Sequence, residues 1–86
     1  MITLTDKVQV SATNVHFQNE NLVIALSDGR EIILPLERYS WLKWLARATQ
    51  EQRARWSLEP DGYAIYWEDL DDGVEIEHLL SLDSLV

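Results

Sequence analysis

Apolar and polar side chains alternate through the first third of the chain. Val8, Val10 and Ala12 alternate with Lys7, Gln9, Ser11 and Thr13, the period of a half-buried strand. Val15 and Phe17 continue the alternation on the opposite parity. A bulge near Asn14 would bring both sets to one face, because a bulge inserts one residue. Asn19-Glu20-Asn21 is turn chemistry. Leu22, Ile24 and Leu26 share one face of a second strand. In Ser27-Asp28-Gly29-Arg30, Asp-Gly is expected to supply the positive φ angles of a two-residue hairpin turn. Glu31-Ile32-Ile33-Leu34 reads as a third strand. Pro35 has no N–H for a ladder and ends that strand or places it at an edge. These segments predict a three-stranded antiparallel meander.

The period then changes. Trp41, Leu42, Leu45 and Ala48 recur at three- and four-residue spacing, which predicts a helix over 38–48 with Lys43 and Arg47 on its polar side. Trp44 lies off that stripe and is expected to be exposed, as a candidate interface anchor. Thr49-Gln50-Glu51-Gln52 matches a capping box, so a short helical turn is expected at 50–54. Trp56-Ser57-Leu58, the turn Glu59-Pro60-Asp61-Gly62, and Tyr63 to Trp67 predict a β-hairpin, with Trp67 as the core anchor. Asp71-Asp72-Gly73 is expected to stop regular structure. Ile76, Leu79 and Leu80 fit a helical stripe, giving a short helix at about 75–80, and the last six residues are expected to fray. The expected fold is one α+β domain over 1–86: a three-stranded meander and a later hairpin, with one main helix and a short C-terminal helix.

A chain of 86 residues fits one domain. There is no cysteine, which excludes a disulfide framework and thiolate chemistry. A domain this small relies on its core or on a partner subunit, so homo-oligomer formation stays open. The N-terminus has no basic region followed by an apolar run, and no stretch approaches the ~20 apolar residues of a membrane span, so a cytoplasmic protein is expected. The net charge of −8 is unevenly placed. Residues 1–58 hold seven basic and six acidic side chains, whereas residues 59–86 hold nine acidic ones and no Lys or Arg. Arg38, Lys43, Arg47, Arg53 and Arg55 make the middle of the chain its basic part. The acidic part cannot neutralise phosphates, so no direct nucleic-acid binding is expected.

Several of these segments together resemble a bacterial family. Pro35-Leu36 before a helix, the Thr49-Gln50-Glu51-Gln52-Arg53 break, Trp56-Ser57-Leu58, Gly62-Tyr63-Ala64-Ile65-Tyr66-Trp67, Leu70-Asp71-Asp72 and Leu79-Leu80 are similar to the 2442 family of domains of unknown function. That family includes the N-terminal domain type of a nitrosomonad protein, a small α+β fold, and the resemblance covers about 8–82. The family often has His-Trp-Pro where this chain has Tyr66-Trp67-Glu68, so no role of that histidine or proline carries over. The resemblance implies a non-enzymatic domain, often encoded beside a small basic protein in a two-gene module of the toxin–antitoxin type. Other members precede a DNA-binding helix-turn-helix, for which this chain is expected to be too short.

No catalytic set assembles from the residues. Ser40 and Ser57 have no histidine at motif spacing, no Gly-rich loop suits a phosphate, and His16 stands alone on a strand. Glu75 and His78 at i,i+3, with Asp69, Asp71 and Asp72 near in sequence, are the one conceivable metal set. Their order does not match a calcium loop, and no metal or cofactor is expected. The leading expectation is a non-catalytic interaction module, antitoxin-like, for a small basic protein. Its candidate contact residues are Trp44, Asp69, Asp71, Asp72, Glu75 and Glu77. The alternative is a small-molecule or metal-binding regulatory domain.

Overall fold

The computed structural model describes residues 10–83. It has two three-stranded antiparallel sheets, ordered β1-β2-β3 and β4-β5-β6, and three helices. In the first sheet β1 (Ala12–Gln18) pairs with β2 (Asn21–Leu26), and β2 pairs with β3 (Glu31–Pro35). The register shifts between Ala12 and Asn14, so the expected bulge is present and turns Ala12 and Val15 to the same buried side.

The two-residue turn with positive φ angles expected at Asp-Gly is found at the earlier turn instead. The two-residue turn with two positive φ angles is Asn19-Glu20, at 52° and 66°, closing the pair Gln18↔Asn21. The Asp-Gly loop is longer. Gly29 N–H donates to Leu26 O at 3.1 Å, Leu26 N–H donates to Arg30 O at 2.8 Å, and Gly29 is the loop residue at positive φ, 93°. A single left-handed glycine after a tight turn is the three-residue hairpin form. Asp28 instead accepts from the Arg30 backbone N–H at 3.1 Å and pairs with its guanidinium.

The main helix is shorter than the apolar stripe. Residues 36–38 form a turn, with Arg38 N–H donating to Pro35 O, and Tyr39 is extended. A 3₁₀ turn at Ser40–Leu42 leads into α1 (Lys43–Ala46). α1 stops because Thr49 must be extended, φ −74° and ψ 165°, to cap α2 (Gln50–Ala54). Both bonds of the capping box form, at 3.0 Å each.

The later hairpin gains a third strand. β4 (Trp56–Leu58) pairs with β5 (Ala64–Trp67), and β5 pairs with β6 (Asp72–Glu75). The expectation that Asp71-Asp72-Gly73 ends regular structure is therefore overturned. Asp71 takes the left-handed conformation that reverses the chain, φ 52°. Gly73 then lies so close to the Ile65 carbonyl that a Cβ would not fit. α3 (Ile76–Asp83) follows directly, one residue later and longer than expected; residues 84–86 lie outside the described residues. Gly62 joins the sheets. It has φ +71°, and a Cβ there would lie 2.5 Å from the Ala12 carbonyl oxygen of β1.

The buried residues of both sheets form one core cluster with Leu42 and Leu45 of the middle helical segment and Ile76 and Leu79 of α3. Trp67 is its largest fully buried side chain. Its ring meets Phe17 and Trp44 edge-on, at 6.3 Å and 5.7 Å between centroids, and its Nε1–H donates to Arg53 O at 3.0 Å.

Candidate interaction surface

Among the described residues, Arg53 is the buried charged side chain. It follows from the cap: with α2 starting at Thr49, Arg53 turns back toward the end of α1. Nε donates to Leu45 O at 3.1 Å, beside the 3.2 Å bond that carbonyl takes from the Ala48 N–H, and Nη2 donates to Ala46 O at 2.9 Å, satisfying carbonyls at the helix end. Nη2 also reaches Glu20 Oε1 at 3.0 Å, and the guanidinium carbon lies 5.3 Å from the Phe17 ring centroid. Of the cations in the basic middle of the chain, Arg53 therefore faces inward. The available signal was its place four residues after the Thr of a capping box that itself follows a helix. The hydrogen bond from Arg53, and then its charge, hold the Glu20 carboxyl below its ordinary pKa.

Trp44 is also placed otherwise than expected. It is half-buried, its Nε1–H donates to Trp41 O at 2.8 Å, and its ring rests on Trp67. Its position off the Leu42–Leu45 line points it at the second sheet.

The acidic residues gather around the outer face of that sheet. Ile65 and Trp67 point inward, so Ala64 and Tyr66 point outward. Across the strands, Tyr66 lies between Ser57 and Gly73, and Ala64 lies opposite Glu75. Glu59 N–H donates to Ala64 O at 2.9 Å, which sets Glu59 on the other side of Ala64. The result is a floor of small residues, a central tyrosine and a border of carboxylates. Tyr66 Oη donates to Asp71 Oδ1 at 2.6 Å. That bond, then burial and the charges of Asp71, Glu68 and Glu59, push the Tyr66 hydroxyl above its ordinary pKa.

The cluster does have a cation. Arg55 Nη1 lies 3.3 Å from Asp69 Oδ2, and its Nη2 lies 3.1 Å from Glu51. Asp72 is exposed and bonds the Gly73 N–H at 2.8 Å. Glu77 is exposed on α3, on a different element from the strand residues. Thus Asp72 and Glu75 stand on β6 and Asp69 and Asp71 in the turn that leads into it, while Trp44 is half-buried against Trp67.

Among the described residues, no group of three His, Asp or Glu side chains is arranged to hold a metal ion. His78 instead meets Trp41 edge-on, 5.3 Å between ring centroids. A cleft of about 550 Å³ lies between β1 and α2, lined by His16, Phe17, Glu20, Gln50, Arg53 and Trp56 among others. Among the described residues, no helix is long and apolar enough to cross a membrane.

Two solved structures share the fold. One is a protein of unknown function from Rhodospirillum rubrum, 19% identical, with a TM-score of 0.69 over 85% of this chain and 87% of that one. The other is an uncharacterized protein from Chromobacterium violaceum, 23% identical, with a TM-score of 0.67 over 83% of this chain and 64% of that one. No curated protein matches the chain. Residues 12–83 match the family described as protein of unknown function (DUF2442), and the chain belongs to that family.

Proposed function

We propose that the domain is a non-catalytic interaction module that presents the outer face of its second sheet to a small basic protein, in the manner of an antitoxin. One observation carries the reading: Glu59, Glu68, Asp71 and Glu75 border a shallow floor of Ser57, Ala64, Tyr66 and Gly73. Small side chains let a partner approach the backbone closely, and the carboxylates steer a cationic surface toward it. The family resemblance, with its neighbouring small basic protein, supports the same partner class.

Neutralising Asp71 and Asp72 to Asn tests this. Asn tolerates the left-handed φ of Asp71 and keeps an acceptor for Tyr66, so the fold is expected to survive. With the product of the adjacent gene as partner, association should slow and lose salt dependence, while dissociation changes less. A double variant that associates at the wild-type rate at low salt would sink the reading. A second reading, a small-molecule regulatory domain, rests on the cleft beside Trp56, whose volume is within the usual range of ligand sites.

A further inference from the structure

We infer that the free edge of β3 pairs with the same edge of a second copy, joining two first sheets into one six-stranded antiparallel sheet. The hydrogen-bond parity of the strand carries this. Leu26 N–H donates to Arg30 O at one end of β3, and Leu36 N–H donates to Glu20 O at the other. Antiparallel bonding alternates, so Ile32 and Leu34 also bond toward β2. The backbone groups of Glu31 and Ile33, and the carbonyl of Pro35, therefore point outward, away from β2. Among the described residues β3 is an edge strand, and an unpaired edge is a template for another strand.

The edge is complementary to itself. In a two-fold pairing centred on Ile33, the two Ile33 residues exchange N–H···O bonds. Each Glu31 N–H meets the Pro35 carbonyl of the other copy, so the missing proline N–H falls at the end of the ladder. The pairing centred one residue earlier, on Ile32, makes as many bonds but sets Glu31 opposite Ile33. The Ile33 centre instead sets the two isoleucines side by side. Ile33 is 56% exposed, the largest value among the exposed large hydrophobic residues of the described chain. It stands in the cross-strand row His16–Val23–Ile33, which the pairing continues into its mirror sequence.

Charge favours this edge over the others. Arg30, Glu31, Glu37 and Arg38 balance locally, whereas the second sheet is bordered by carboxylates that repel a copy. A contact of one strand with one strand is at the small end of interface sizes. The dimer is therefore weak, with a dissociation constant on the order of 10⁻⁵–10⁻³ M.

Sedimentation of the full chain from about 10 μM to 1 mM, with amide exchange followed at both ends of that range, tests the pairing. The expected result is a monomer–dimer equilibrium in which Glu31 and Ile33 amides exchange more slowly as concentration rises. Ile32 and Leu34, already bonded to β2, should not respond. Ile33→Lys should weaken the dimer at least about tenfold. Glu31→Pro, which removes only an outward N–H, should do so as well, so a folding defect in one variant does not decide the matter. A chain that stays monomeric at about 1 mM, or a dimer unchanged by both variants, overturns the proposal.

Discussion

Trp67 and Arg53 hold the two halves of the chain together, and their roles are separable. Trp67 contributes buried area: its ring is fully enclosed between Phe17 of the first sheet and Trp44 of α1. Trp67→Ala should lower stability by about 3–5 kcal/mol in urea unfolding, the usual loss for a buried large aromatic. An unchanged midpoint would contradict that enclosure. Arg53 contributes connection rather than area, because it meets Glu20 while occupying the α1 carbonyls. Glu20 has a lowered pKa, so its contribution is present above the ordinary glutamate value of about 4.3 and is lost as pH falls through the lowered one. Glu20→Gln should therefore shift the urea midpoint at neutral pH, and the difference from wild type should close at a pH below that lowered value. A difference that persists at that pH would show that the carboxylate charge is not what Arg53 uses.

At the level of elements, periodicity found most of the molecule. The bulge, the cap of α2 and the inward face of β5 could be read because each depends on side chains near in sequence. The exceptions share a cause. β6 was hidden because Asp72 and Gly73 are poor strand residues. They are held there by the backbone of β5, which is a tertiary partner. α1 was overestimated because its apolar stripe continues to Ala48, while the competing demand came from Thr49 and the next helix. Asn19-Glu20 reads less strongly than Asp-Gly as a tight turn. Its strain is offset by Arg53 on the Glu20 side chain and by the Leu36 N–H on the Glu20 carbonyl. The candidate site divides in the same way. Its charges were legible, but the face they share depends on the register of β5 with β4 and β6.

Across the whole molecule, the two sheets meet through Gly62 on Ala12, Phe17 on Trp67 and Glu20 on Arg53. Neither sheet has a core of its own, so the domain should unfold as one unit. All four tryptophans lie between positions 41 and 67, and none lies in the first sheet. Tryptophan fluorescence and amide signals from β2 thus report on different halves. Their urea transitions are expected to coincide, and separated midpoints would mean that the first sheet survives alone.

The placement of Arg53 also limits the order in which sequence can drift. Glu20 sits at the surface, and losing it frees part of one guanidinium. Losing Arg53 first strands the half-buried carbonyl of Ala46, at about 1–3 kcal/mol for a buried group left unmatched, while Leu45 O keeps its bond from the Ala48 N–H. Position 20 can therefore vary early in a lineage. Position 53 becomes free only after some other donor has reached the end of α1. Related chains that lack the arginine should carry that replacement donor, and aligned sequences should show the two losses in that order.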